Sequence, residues 1–294
     1  LEYEGLEGKT KYEGTLDQLY NRDFRKFIEY NRQDVNGLRE IDHKLRFLDL
    51  ANTLAHENTV LLPTTMGAVA VTEQAIINEA HERGMVVPSR RERLTDEDTQ
   101  AAGAYVAYPR KGMHEWVGSI DINSLYPSTI RALNMGPETI IGQLRPIMTD
   151  NLIQERMTRQ KMSFAAAWEG LFATLEYTAV MDRERGTEIT IDWSTGEESV
   201  HSAADIWPMI FDSNRPWAIT ANGTIFTYDK EAVIPGLLKR WYAERKDMQA
   251  RLREAINAGD KVQEEYWDKR QLVKKINLNS LYGAILNPGC RFFD

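Results

Sequence analysis

The chain has 294 residues, of which 42% are hydrophobic and 27% charged, and a formal net charge of −8. That is the composition of a folded globular protein and not of a disordered one, and no run approaches the ~18 consecutive apolar residues of a membrane span. The acidic balance argues against a uniformly basic nucleic-acid binder, while the single Cys290 excludes an intrachain disulfide and fits a reducing compartment.

Length alone allows one large domain or two to three smaller ones. The start, LEYEGLEGKTKYEG, is polar and glycine-rich, without the apolar core of a signal peptide. It begins with Leu, which suggests a piece of a longer protein. Residues 15 to 58 read as helical, with apolar residues at three- and four-residue spacing and no proline. Thr15 is the expected N-cap, with Gln18 three positions on. A helix over 72 to 84 should end at Gly84, and the segment after it, with Pro88, Pro109 and a charge cluster, reads as loop.

HEWVGSIDI, 114 to 122, alternates well enough to predict a strand ending at Asp121. Pro127 suits a first helical turn, STIRALN continues that helix, and Gly136-Pro137 stops it. One helix is expected over about 150 to 176, burying Met157, Met162, Phe164, Trp168, Leu171 and Leu175. Residues 187 to 203 and 219 to 230 read as two hairpins, the second turning at Asn222-Gly223.

From 232 to about 287 two long helices flank a short turn at 258 to 260, which predicts an antiparallel helical hairpin. Charge concentrates there: between Lys239 and Lys275 stand 11 Lys/Arg against 7 Asp/Glu, a net +4 in a chain of −8. Arg245 lies about 14 residues before the turn centre and Lys275 about 16 after it, so at 1.5 Å per residue their axial mismatch is roughly 3 Å. Lys275, Asn279 and Tyr282 follow i, i+4, i+7 and share a helix face. By itself such a stripe is more often a solvated face than a site.

Two stretches carry a specific resemblance. DINSLYPS, 121 to 128, resembles motif A of family B DNA polymerases, and KINLNSLYG, 275 to 283, resembles their motif B. They occur in the family's order, and PETIIGQ (137 to 143) with YGAILNPGCRFFD (282 to 294) is similar to the polymerases of T4-like bacteriophages. YNRQD, Tyr30 to Asp34, resembles the third motif of the proofreading 3′–5′ exonuclease. No motif matches over 150 to 220.

The resemblance implies an α+β fold, part of a right hand. Residues 1–58 would be the C-terminal part of an exonuclease domain, carrying Tyr30 and Asp34 as its remnant. Residues 59–112 would connect, 113–231 would be a partial palm with an antiparallel sheet bearing Asp121, 232–287 the fingers, and 288–294 a return to the palm. It implies nucleotidyl transfer with a two-ion magnesium site, to which Asp121 and the Ile122 carbonyl contribute. Asn123, Ser124, Leu125 and Tyr126 would cradle the phosphates at a helix N-terminus, and Tyr126 would bar a 2′-hydroxyl unless it is simply a core aromatic. Arg245 and Lys275 would clamp the triphosphate with help from Asn279, Lys275 also serving catalysis with Asp121. Asn279, Tyr282 and Gly283 would face the nascent base pair. The family's further basic residue, one turn after Arg245, is here Gln249, with Arg251 the nearest substitute.

The implied partners are primer-template DNA, deoxynucleotides, a complementary polymerase chain with motif C and the thumb, and a sliding clamp, all in the host cytoplasm with no membrane. The second catalytic carboxylate is expected outside this sequence. One alternative of a different class stays open: a non-catalytic nucleotide- or nucleic-acid-binding module derived from a polymerase.

Overall fold

A computed structural model describes residues 2–6, 8–89, 108–168, 171, 174–182, 186–212 and 214–293. The chain divides into two compact units, Leu1–Gly67 and Ala68–Asp294.

In the first unit the helical stretch is three helices and not one: α1 (Leu16–Arg22), α2 (Phe24–Leu45) and α3 (Phe47–Asn58). Thr15 and Gln18 form the expected capping box. The breaks have local causes that periodicity does not register. Asp23 ends α1 and caps α2, its carboxylate accepting the Lys26 N–H at 3.0 Å. Arg46 adopts the left-handed conformation at φ 57° and ends α2.

The second unit opens with α4 (Ala68–Glu82), which starts four residues earlier than the sequence suggests; Gly84 sits just beyond it at φ 67°. The loop expected after it lies largely outside the described residues. The strand expected over 114 to 122 does not form, and Asp121 lies on no strand. Trp116 takes a left-handed φ of 59° that breaks the alternation, and Ile120 is 96% exposed. A strand needs a neighbour to take its backbone N–H and C=O groups, and no described strand pairs with this segment.

The sheet is built downstream. After α5 (Leu125–Ala132) come β1 (Ile140–Leu144), α6 (Ile147–Arg159), α7 (Phe164–Ala167), α8 (Leu175–Met181), β2 (Glu188–Trp193), β3 (Glu198–Ser202), α9 (Ala203–Phe211), β4 (Trp217–Ile219) and β5 (Thr224–Thr227). All described pairings are antiparallel, in the order β3-β2-β1-β5-β4. Both expected hairpins are present. Gly223 reaches φ 88° in the β4–β5 turn, a conformation costly for a side-chain-bearing residue.

The single helix expected over 150 to 176 is replaced by α6, α7 and α8, with Lys161 at φ 53° between the first two. Met157, Met162, Trp168, Leu171 and Leu175 are half-buried and the Phe164 side chain lies outside the described residues, while Ile153, Ala167 and Val180 are the buried hydrophobic residues of α6 to α8. The start of α6 is fixed by Glu176 of α8, only 4% exposed. Its carboxylate accepts the Met148 N–H at 2.6 Å and the Thr149 hydroxyl at 2.7 Å. A carboxylate at a helix N-terminus satisfies donors that have no partner inside the helix.

The helical hairpin is α10 (Val233–Ala258) and α11 (Lys261–Ile285), turned by Gly259 at φ 69° and capped by Asp260. Two cores result. One joins α4, α5, α10 and α11 through Ile76, Ile130, Leu237, Leu238, Trp241 and Leu281. The other packs α8 and α9 on the sheet through Leu144, Val180, Ile191, Ile206 and Ile225. Mixed helices with an antiparallel sheet make the α+β class expected. No helix among the described residues is long and apolar enough to cross a membrane.

Candidate functional site

Within the second unit, α5 and α11 bring the two resembling stretches together. Ser124, at φ 53°, turns the chain into α5 without a side-chain cap bond, so the first-turn N–H groups lack that partner. Pro127 is buried in that turn, where a missing N–H forfeits no helical bond. Tyr126 lies flat against Tyr282, with ring centroids 3.8 Å apart and planes 11° apart. At 42% exposure Tyr126 is not a core aromatic. Asp121, Ile122, Asn123 and Leu125 are exposed and Ser124 half-buried.

On α11, Lys275, Asn279 and Gly283 are exposed and Tyr282 half-buried, as one face requires. A Cβ placed on Gly283 would meet nothing within 4 Å. Glycine inside a helix costs about 0.5–1 kcal/mol relative to alanine, and nothing in the chain's own packing demands it there. Arg245 is half-buried and its Nε has no hydrogen-bond partner. Arg251 is engaged elsewhere: its Nε is 2.9 Å from Asp247 and its guanidinium lies 4.8 Å from the Trp267 ring centroid. Gln249 is half-buried.

Burial, and after it the facing Tyr126, raises the Tyr282 phenol above the ordinary tyrosine value. The folded state thus holds this proton more tightly. The stability it lends is present below the ordinary value and is lost as pH rises through the folded one. Tyr126→Leu should move the Tyr282 titration back toward ordinary tyrosine. The phenolate absorbance difference against Tyr282→Phe reads it, and an unmoved titration would refute the pairing.

Sequence reasoning missed the residues that set this frame. Lys274, 5% exposed, sits 2.7 Å from Glu244 and ties α11 to α10. Arg131 of α5 and Lys246 of α10 both lie over the Tyr242 ring. The i, i+4 spacing of Tyr242 and Lys246 was a readable signal, but the approach of Arg131 was not.

Among the described residues no group of three or more His, Cys, Asp or Glu side chains is placed to hold a metal ion. Magnesium takes several oxygen ligands, and the described residues alone do not close such a site.

In the first unit, Tyr30 and Asp34 line one cavity of about 990 Å³. Lys9 Nζ is 3.0 Å from the Asp34 carboxylate and 5.8 Å from the Tyr30 centroid. The hydrogen bond to Asp34, chiefly, raises the Lys9 ammonium above the ordinary lysine value.

The family model of DNA polymerase family B matches residues 64–289. The chain belongs to DNA polymerase family B. Among family relatives, the DNA-directed DNA polymerase of Escherichia phage RB69 is 25% identical over 300 residues, covering 100% of this chain and 32% of that protein. The DNA-directed DNA polymerase of Enterobacteria phage T4 is 28% identical over 144 residues, 49% of this chain and 16% of that protein. The chain thus spans about a third or less of the length of these family B relatives. The solved structure of the family B DNA polymerase from the hyperthermophilic archaeon Pyrobaculum calidifontis superposes with a TM-score of 0.61 at 18% identity, covering 100% of this chain and 30% of that one. That likeness concerns the family B fold alone.

Proposed function

We propose that this chain supplies the nucleotide-binding half of a DNA-directed DNA polymerase of a T4-like phage. The observation that carries the reading is the stack of Tyr126 on Tyr282, which sets the start of α5 against the exposed face of α11. In this reading α10 and α11 are the fingers, α5 and the segment before it belong to the palm, and the first unit is exonuclease remnant with Tyr30 and Asp34. Backbone N–H groups from Asn123 to Tyr126, which have no side-chain cap, hold the inner phosphates of a deoxynucleotide. Lys275 and Arg245 neutralise the outer ones, with Asn279 beside them. Tyr126 lies under the sugar and excludes a 2′-hydroxyl. Asn279, Tyr282 and the open side of Gly283 face the new base pair of primer-template DNA.

Asp121 and the Ile122 carbonyl would be this chain's ligands to magnesium, whose bound ions activate the primer hydroxyl and offset phosphate charge. The remaining carboxylate belongs to a complementary polymerase segment with the thumb, through which a sliding clamp is also reached in the host cytoplasm.

The test is deoxynucleotide binding with magnesium by wild type, Asp121→Ala and Lys275→Ala. Losing the lysine's charge-assisted contact should weaken binding about 10- to 100-fold, and losing Asp121 should remove the dependence on magnesium. Identical binding by all three would overturn the assignment.

A further inference from the structure

Away from the face that α5 and α11 share, the second unit holds a cavity of about 360 Å³ at the base of α10. That volume is at the small end of the ~300–1,000 Å³ usual for small-molecule sites. Its wall is mostly apolar, with Ile76 and Ala80 of α4, Val87 just after that helix, Ile234 in the first turn of α10 and Phe292 from the stretch after α11. Val86, 95% exposed, also borders it and places its mouth at the surface. Two charged side chains share the lining, Glu138 and Arg291.

The two charges are not equally provided for. The Glu138 carboxylate accepts the N–H of Val233 at the start of α10, a helix end with no side-chain cap of its own. Its charge is thus met by a helix terminus whose donors lack partners inside the helix. Arg291 is held differently. Its backbone N–H donates to the Glu73 carboxylate at 2.7 Å, which fixes the residue against α4. Of the guanidinium donors, Nη1 reaches the Pro88 carbonyl at 2.9 Å, whereas Nε is buried without a hydrogen-bond partner. No carboxylate among the described residues pairs with that guanidinium. An arginine cannot shed its charge, and one carbonyl leaves most of its donors unmet. A buried donor without a partner is costly, so the site favours an acceptor brought from outside.

We infer that this cavity binds a small amphiphilic anion, a single short apolar chain or ring that ends in a carboxylate. The apolar body replaces water that an apolar wall holds poorly. The carboxylate takes the donors that Arg291 has left, in charge-assisted bonds whose planar fork suits two oxygens. The volume admits one short chain and not a two-chain lipid. The occupant touches α4, the segment after it and the first turn of α10 at once, so it braces the base of the helical hairpin against α4. The inference stands apart from the nucleotide-binding reading, which uses none of these residues.

The experiment measures binding of octanoate, hexanoate and 1-octanol to the purified chain by calorimetry, with the variants Arg291→Gln, Ala80→Phe and Val87→Phe. Two further buried methylenes, at about four-fold each, should make octanoate bind about 15-fold more tightly than hexanoate. Octanoate should bind about ten-fold more tightly than 1-octanol, and Arg291→Gln should erase that difference. Ala80→Phe and Val87→Phe each fill the cavity and should abolish binding. Val87 is half-buried and lies outside any helix, so its variant keeps the test decisive if Ala80→Phe does not fold. Deoxynucleotide binding should be unchanged in Arg291→Gln. No binding of octanoate by wild type at millimolar concentration, equal binding of the acid and the alcohol, or undiminished octanoate binding in Arg291→Gln or in folded Val87→Phe overturns the inference. A loss of deoxynucleotide binding in Arg291→Gln makes Arg291 part of the nucleotide site and overturns the separate one.

Discussion

Asn134→Ala should destabilise the second unit by about 3–5 kcal/mol, close to the whole margin of many domains. Asn134 is 5% exposed and holds a left-handed φ of 51°. Its amide nitrogen donates to the carbonyls of Thr227 at 2.8 Å and Lys230 at 2.7 Å, and its amide oxygen accepts the Ala232 N–H at 3.0 Å. One side chain thus fastens the end of α5 to the loop that carries β5 into α10. Alanine would leave three backbone groups without this partner, at about 1 kcal/mol or more each, and would meet a left-handed penalty of about 1–2 kcal/mol that asparagine largely escapes. Asn134→Asp keeps the acceptor and the turn but sets a buried carboxylate oxygen against the two carbonyls, so at neutral pH a loss at least as large as alanine's is expected. Denaturant unfolding followed by tryptophan fluorescence reads both. An Asn134→Ala midpoint matching wild type would show that the loop is held by other means.

The second large effect is expected at Leu238, which is fully buried where α4, α5, α10 and α11 meet. Leu238→Ala removes its transfer free energy and leaves a cavity that four helices cannot easily collapse, a loss of about 3–4 kcal/mol. Leu238→Met conserves volume and should cost about 1 kcal/mol. The same denaturant curves separate the two. Equal midpoints for alanine and methionine would mean that the site relaxes around the void.

The parts legible in the sequence were those whose causes are local. Asn222-Gly223 announced its hairpin because that turn needs a positive φ, and the Gly259-Asp260 turn announced the helical pair. Where several neighbours decide, the pattern misled. Residues 114 to 122 alternate like a strand, but alternation supplies no hydrogen-bond partner. The apolar spacing over 150 to 176 runs straight through Lys161, whose left-handed backbone the spacing does not register. The helix breaks at Asp23 and Arg46 depended on single residues serving two helices at once. At the site, the residue types and the shared face of Lys275, Asn279 and Tyr282 were readable. The meeting of Arg131 with Tyr242, and the burial of Lys274 against Glu244, required the packing of α5, α10 and α11.

The Lys274–Glu244 pair has a mechanical consequence. Joined there and packed along their length, α10 and α11 behave as one stiff rod, anchored at its base by Leu237, Leu238 and Trp241. Arg245 lies about 18 Å up that rod from Val233 at 1.5 Å per residue. A tilt of about ten degrees at the base would therefore carry it roughly 3 Å. In the proposed nucleotide-binding reading, Arg245 and Lys275 would register such a swing together, and the packing at the base of the rod would set how firmly they hold a phosphate.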